Sequence, residues 1–278
     1  MKITKIEDLH AASGLGHFSF LKISTDEGLV GWAEFNEGSG SKSLSAVIRA
    51  IGEPLIGEDP LPVQKIATQL YQRTIQAPGG LNQRANAAIE MALWDIKGKS
   101  VGLPVHALFG GPVRHKVPVY WSHCGSYRMQ AGEKLGVKPV RTLDDISELG
   151  AEVAARGFKG LKTNCFHLID GQLSRQMQGY GNQAGHAALN LERHTLNGIV
   201  ETLRAFRDGA GPAMNLHLDC NYHFKSEGYI RIARAIEPFD MTWLEMDMWD
   251  AGISDRSWSE TPRISPSSTC FGTAGRRR

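Results

Sequence analysis

Residues 216–224 read LHLDCNYHF, and this stretch decides the fold because it ends an apolar strand on a charged group. Leu216 and Leu218 alternate as in a buried strand, and the run stops at Asp219. A carboxylate at the end of an apolar strand is costly unless another group pairs with it. The stretch therefore predicts a buried strand whose terminal aspartate belongs to a site.

The neighbouring segments repeat this arrangement. Helical patterns cover 143–156, 195–207 and 228–236 and alternate with strand-like runs. Such alternation predicts a parallel sheet with right-handed crossover helices, whose ligand sites lie at the carboxyl ends of the strands. The four predicted strands are VPVYW (117–121), GLKTN (160–164), MNLHLD (214–219) and MTWLE (241–245).

The first hundred residues have a different pattern, with strands followed by helices. ITKIEDL (3–9), FSFLKIST (18–25) and GLVGWAEF (28–35) read as strands, and Asp26-Glu27-Gly28 is good hairpin-turn chemistry. Helical patterns run from Ser43 to about Lys99. The clearest helix has its predicted buried face at Ala85, Ala88, Ile89, Ala92, Leu93 and Ile96.

One long connection, from Phe166 to His194, has no clear periodicity and is rich in Gln, Gly, Asn and His. A connection of this length is usually functional or mobile, and it follows the strand that contains Lys162. His167, His186 and His194 match no metal-ligand spacing, so we interpret them as loop or surface histidines.

Composition excludes several classes of partner. The 278 residues are 41% hydrophobic and 22% charged, as expected for a globular protein of one or two domains. A net charge of +2 gives no reason to expect nucleic acid or an anionic membrane as partner. Without a secretory pattern or a membrane-length apolar run, we expect a cytoplasmic protein. Its scattered cysteines are expected to be reduced: Cys124, Cys165, Cys220 and Cys270.

Three charged residues end successive strands: Lys162, Asp219 and Glu245, with the two acids 26 positions apart. Two facing carboxylates repel each other, and a divalent cation removes that conflict. Oxygen ligands favour Mg²⁺, and a lysine close to the metal would have a lowered pKa and could act as a base. The other interpretation, a helix N-cap or a surface ion pair, stays open for each acid taken alone.

Several motifs give these residues a family context. AIEMALWDIKGKSVGLPVHALFGG (88–111), GFKGLKTN (157–164), Asp219-Cys220-Asn221 and the WLE that ends at Glu245 together resemble a known pattern. The chain resembles the mandelate racemase/muconate lactonizing enzyme branch of the enolase superfamily, from roughly Lys2 to Asp250. The resemblance implies an α+β capping domain at 1–115 and a modified TIM-type α/β barrel at 116–250, followed by an irregular tail at 251–278.

The resemblance also implies a chemistry. Asp219 and Glu245 would hold Mg²⁺, which binds a substrate carboxylate while a base removes the α-proton. Lys162 stands at the position that more often balances charge near the metal, so a full-length relative with Asn164 would use a histidine paired with an aspartate as its base. Dehydration of an acid sugar is the expected reaction, and a homo-oligomer is the expected assembly. The expected substrate contacts are His17 in SGLGHFS, Asn82 in APGGLNQ, Asn164 and Asn221.

The sequence departs from the family pattern in two places. Asn164 stands where a second lysine often serves as base, and Phe271 stands where one further repeat would put a third metal-binding glutamate. The strands that would carry a His–Asp dyad are also missing, so the barrel is predicted to be incomplete. A reading-frame change near Asp250 and a natural truncation are favoured over a divergent ending. The alternatives to an active enzyme are therefore an inactive remnant and an oligomer-dependent non-catalytic module.

Overall fold

The computed structural model describes residues 1–13, 16–38, 41–175, 190–221, 223–246 and 265–267. It divides into two compact units, Met1–Lys116 and Val117–Arg278. Among the described residues, no helix combines the length and apolar character needed to cross a membrane.

The first unit contains a three-stranded antiparallel sheet followed by helices. The order is β1-β2-β3, and Ser24 pairs with Val30 across the predicted Asp26-Glu27-Gly28 turn, which confirms that hairpin. Gly28 has a φ of 81°, a conformation that glycine adopts without a steric penalty. The elements are β1 (Ile3–Ser13), β2 (Gly16–Thr25), β3 (Val30–Phe35), α1 (Leu44–Gly52), α2 (Val63–Thr74), α3 (Gly80–Ser100) and α4 (Val105–Leu108).

Helix α3 organises the core of this unit. All six residues of its predicted apolar face are buried, so the helical spacing identified the contact surface correctly. The helix packs closely on the sheet because Gly31 of β3 lies against it: a Cβ there would be 2.1 Å from the Ala92 carbonyl oxygen. Only glycine fits that approach.

The second unit is built on a parallel sheet of order β4-β7-β8-β9. Asn164, Asp219 and Glu245 lie side by side in its register. Three of the four predicted strands are confirmed within one residue, and the three predicted helices are confirmed within three residues. The elements are α5 (Ser126–Ala131), α6 (Leu143–Ala155), β4 (Gly160–Asn164), β5 (Phe166–Ile169), β6 (Gln172–Arg175), α7 (Arg193–Ala210), β7 (Asn215–Asp219), α8 (Ser226–Ile236), β8 (Met241–Glu245) and β9 (Ser265–Ser267).

The predicted strand at 117–121 is only partly formed. Trp121 alone makes a parallel bridge, to Leu161, and Pro118 has no N–H to contribute to a ladder. The bridge still places the end of this segment beside β4. Counting it, the described parallel strands number five, fewer than the eight of a closed barrel.

Two segments expected to be irregular contain strands. The connection after β4 begins with the hairpin β5–β6, whose turn residues Asp170 and Gly171 have φ values of 49° and 76°. Asp-Gly is a favoured two-residue hairpin turn, so the sequence contained this signal. In the tail, β9 pairs in parallel with β8, contrary to the expectation of no strand there. Residues 176–189 of the connection, which include His186, and the tail residues other than 265–267 lie outside the described residues.

Candidate active site

The carboxyl ends of β4, β7 and β8 carry the predicted site residues. Side chains alternate along a strand, so Lys162 and Asn164 share one face of β4. Asn164 is paired with Asp219, and Asp219 is paired with Glu245. The expected convergence of these side chains at one edge of the sheet is present.

Lys162 lies between the two acids. Its Nζ donates to Asp219 Oδ2 at 3.0 Å and to Glu245 Oε2 at 2.8 Å. The lysine and aspartate side chains are 9% and 6% exposed, so these ion pairs are shielded from water. Because both oxygens contact one nitrogen, they lie at most about 6 Å apart. Two oxygens that bind one Mg²⁺ at about 2.1 Å each lie at most about 4.2 Å apart, so the bound ion sets a tighter spacing than this bound does.

The pKa of Lys162 is displaced by this environment. Burial lowers it, but the hydrogen bonds to Glu245 and Asp219 outweigh burial and raise the pKa above its usual value. The lowered pKa predicted from the sequence refers to a lysine beside a bound divalent ion, so it stays a prediction. In this arrangement Lys162 is a cation that neutralises two acids.

The backbone after β7 fixes the aspartate. Asn221 donates its backbone N–H to Asp219 Oδ1 at 3.0 Å and has a φ of 48°, a conformation uncommon for residues other than glycine. The Tyr229 hydroxyl donates to the Asn221 carbonyl at 2.6 Å. Both carboxylate oxygens of Asp219 are therefore engaged, one by Lys162 and one by the backbone.

Asn164 belongs to a second polar group at the same edge, which the sequence analysis missed. Its Oδ1 accepts from Ser126 Oγ at 2.6 Å and contacts His123 Nδ1 at 3.0 Å. Within the described ranges, Nδ2 of Asn164 and Nδ2 of Asn221 are buried without a hydrogen-bond partner. His123 and Ser126 follow the segment that ends at Trp121, so the same strand-end argument that found Asp219 could have found them.

An aromatic layer lies beneath the ion pairs. The rings of His217 and Trp243 stack at 3.8 Å, and Tyr120 packs edge-on against both. Burial, helped by the charge of Lys162, lowers the pKa of His217 to about 4, so its ring is neutral at physiological pH. A Cβ at Gly160 would lie 2.9 Å from His217 Nε2, so glycine makes room for this ring.

Asp219 and Glu245 provide some of the ligands that a small divalent ion requires. The part of the chain that is described contains no group of three or more His, Cys, Asp and Glu side chains able to hold a metal. Mg²⁺, however, keeps several waters and is commonly bound by one or two carboxylates. Two converging carboxylates, whose charge already attracts a cation, fit that requirement.

Two predicted substrate contacts lie in the first unit. His17 borders a cavity of about 540 Å³ together with His10, Glu37 and Lys42. Asn82 donates through Nδ2 to the Ala77 carbonyl at 2.9 Å. Their role as substrate contacts stays a prediction.

Fold and site together define a class of protein. The chain combines an α+β unit with a parallel β/α unit that carries a carboxylate pair and a lysine at its strand ends. Comparison with known proteins identifies that class.

Residues 10–110 match the mandelate racemase/muconate lactonizing enzyme N-terminal domain, and residues 145–255 match the enolase C-terminal domain-like family. A crystal structure from Burkholderia xenovorans strain LB400, a protein provisionally named L-alanine-DL-glutamate epimerase, superposes with a TM-score of 0.91. It is 36% identical, and the match covers 96% of this chain and 67% of that one. A second structure of the protein of that name is bound to magnesium and fumarate.

Curated relatives are named for acid sugars. A D-galactonate dehydratase family member from Streptomyces bingchenggensis is 28% identical over 232 residues, covering 82% of this chain and 54% of the relative. The D-galactonate dehydratase of Variovorax paradoxus is 39% identical over 120 residues, which cover 43% of this chain and 31% of the relative. The chain thus spans about half or less of these relatives.

The chain belongs to the mandelate racemase/muconate lactonizing enzyme family of the enolase superfamily. This confirms the resemblance and the fold class, a capping-type α+β domain followed by a β/α barrel-type domain.

Proposed function

We propose that this protein removes the proton α to the carboxylate of an acid sugar, as the first step of a Mg²⁺-dependent dehydration. One observation carries the proposal: Asp219 and Glu245, on adjacent parallel strands, converge on a single cation position. The names of the curated relatives support the substrate class, and the magnesium-bound structural relative supports the ion.

Asp219 and Glu245 would hold the ion between them. When bound, Mg²⁺ would supply the positive charge that holds the substrate carboxylate and makes the α-proton more acidic. The backbone N–H of Asn221 orients Asp219 for this task.

Lys162 holds an exchangeable proton at Nζ beside both acids. Its raised pKa results from hydrogen bonds to those acids, and burial acts in the opposite direction. Once the carboxylates are engaged elsewhere, burial would dominate and lower the pKa, so Lys162 could accept the α-proton. Asn164 and Asn221 each leave a buried Nδ2 without a partner among the described residues, and these donors suit substrate oxygens.

A non-catalytic role is the second candidate. It is favoured by Lys162, which already neutralises both acids, and by the lack of a third acid beside them in the described ranges. The proposal also includes a cytoplasmic location and a homo-oligomeric assembly.

The test is incubation of the full chain with MgCl₂ and a panel of hexonates, D-galactonate included, in D₂O. Formation of a 2-keto-3-deoxy acid, measured as its semicarbazone, is the expected result. Deuterium at Cα without that product would indicate an epimerase, and neither signal would favour the non-catalytic role. Asp219→Asn and Glu245→Gln should abolish turnover, whereas Glu227→Gln, which changes an acid that is 67% exposed on α8, should not.

A further inference from the structure

Tyr229 is a buried residue of α8 whose ring is held in place by its neighbours. The residue is 2% exposed, and its ring packs edge-on against Phe224 with the ring centroids 5.9 Å apart. The start of α8 lies close to the same phenylalanine, since a Cβ at Gly228 would be 3.0 Å from Phe224 Cβ. Packing of this density fixes the ring, so it also fixes the position of the Tyr229 hydroxyl.

The hydroxyl contacts the loop after β7 at two points. It donates to the Asn221 carbonyl at 2.6 Å and accepts from the Phe224 N–H at 3.5 Å. A hydroxyl can donate and accept at the same time, so both contacts use one oxygen. A single side chain from α8 therefore connects two backbone groups of this loop that are three residues apart in the sequence.

The backbone of Asn221 has a conformation that requires support from its surroundings. Its φ is 48°, in the left-handed region that L-residues other than glycine rarely adopt. Residues in such conformations persist where the surrounding structure holds them, and they cluster at functional sites. The carbonyl that Tyr229 holds belongs to this strained residue, so the hydrogen bond restrains its backbone rotation.

The same backbone conformation directs two polar groups of Asn221. The N–H donates to Asp219 Oδ1 at 3.0 Å, which orients the carboxylate. The side-chain Nδ2 is buried and has no hydrogen-bond partner within the described part of the chain. Rotation about the Asn221 backbone would turn the N–H away from Asp219 and move Nδ2 with it.

We propose that Tyr229 is a positioning residue, whose hydroxyl holds the left-handed conformation of Asn221 and thereby orients the Asp219 carboxylate. Tyr229 acts through Asn221, from a helix behind the loop. Its importance for ion binding rests on the proposed function, in which Asp219 is a ligand of Mg²⁺. The site then extends from the strand ends to α8, which the sequence analysis did not connect with it.

The first test uses NMR of the metal-free full chain. In the wild type, the Tyr229 hydroxyl proton should exchange slowly enough with water to be observed. Tyr229→Phe removes only the hydroxyl oxygen, and it should speed hydrogen exchange of the Asn221 amide by about fivefold or more, the effect of one hydrogen bond.

Thr202→Val is the matched control. Thr202 is 1% exposed, lies in the same unit on α7, and its hydroxyl also donates to a backbone carbonyl, that of Gly198, at 2.8 Å. Both variants lose one buried hydroxyl bond, so both should lower the melting temperature by similar amounts. Thr202→Val should leave the exchange of the Asn221 amide unchanged.

The second test is titration calorimetry with MgCl₂ on the same three proteins. Tyr229→Phe should raise the Kd for Mg²⁺ by about fivefold, because Asp219 is then held less firmly in its binding orientation. Thr202→Val should bind Mg²⁺ as the wild type does. A change in Kd that is confined to Tyr229→Phe separates positioning from a general effect on stability.

Three results would overturn the inference: no observable Tyr229 hydroxyl proton, exchange of the Asn221 amide that Tyr229→Phe leaves unchanged, and equal effects of the two variants on that exchange. A wild type that binds no Mg²⁺, but whose Asn221 amide responds to Tyr229→Phe, would remove the proposed function and keep the positioning role. Acid-sugar turnover in a protein whose Asn221 amide does not respond would do the reverse.

Discussion

Replacing Lys162 with methionine tests the electrostatics of the site most sharply. The substitution keeps the length of the side chain and removes the ammonium group between Asp219 and Glu245. Breaking a buried ion pair by removing one partner typically costs about 3–5 kcal/mol, because the remaining charge is uncompensated. For a protein of this size we therefore expect the melting temperature to fall by roughly 10 °C.

The chain contains a matched control for solvent exposure. Lys138 also contacts two carboxylates, Asp145 at 2.8 Å and Glu148 at 2.5 Å, but its side chain is 60% exposed. Water screens such pairs, so Lys138→Met should cost less than about 1 kcal/mol. The difference between the two lysine variants isolates the effect of burial.

Magnesium should distinguish a cation site from a structural ion pair. In Lys162→Met the acids lack their cation, so Mg²⁺ at 100 times its Kd should restore about 2.7 kcal/mol. The wild type should gain less, because there the ion competes with the ammonium group. Differential scanning fluorimetry with and without MgCl₂ measures both shifts. A Lys162→Met variant whose melting temperature does not change with Mg²⁺ would show that Asp219 and Glu245 do not form a cation site.

Four further predictions concern the metal and the fold. Asp219→Asn should abolish any Mg²⁺-dependent rise in melting temperature; an unchanged rise would exclude it as a ligand. Thr142→Ala removes the cap of α6 and should cost about 1 kcal/mol in urea melts. Partial burial raises the pKa of Asp145, but hydrogen bonds outweigh burial and lower this pKa to about 2. The ionised carboxylate therefore stabilises the folded protein above about pH 3.9, and this stabilisation should be lost as the pH falls towards 2. Gly209→Ala should lower the free energy of unfolding, because its Cβ would lie 1.8 Å from the Ser147 carbonyl oxygen. In most helix interiors the same change stabilises the protein. A stabilised Gly209→Ala variant would contradict the close packing at this position.

Periodicity predicted the elements that bury one face. The spacing of α3 identified its buried residues, and the alternation in LHLD and WLE placed Asp219 and Glu245 at neighbouring strand ends. These features depend on local geometry, which the sequence encodes directly. The predicted strand at 117–121 is mostly absent. The prediction rested on apolar composition and did not take account of Pro118, which has no N–H for a ladder.

Features that depend on contacts between distant segments were harder to predict. Lys162 bonds to acids that are 57 and 83 positions away in the sequence; burial lowers its pKa, but these bonds outweigh burial and raise it. The strand-end argument could have located His123, but it does not predict the contact of His123 with Asn164, which lies 41 positions away. The Asp170-Gly171 hairpin was different, because its turn signal was readable and was overlooked within a long polar connection.

The most direct test of the central idea is anomalous diffraction from crystals of the full chain soaked in MnCl₂, with Mn²⁺ as a visible substitute for Mg²⁺. We expect one ion within about 2.3 Å of a carboxylate oxygen of both Asp219 and Glu245, with Lys162 Nζ moved from between them. Strong anomalous signal elsewhere, with Lys162 still bridging the two acids, would contradict it.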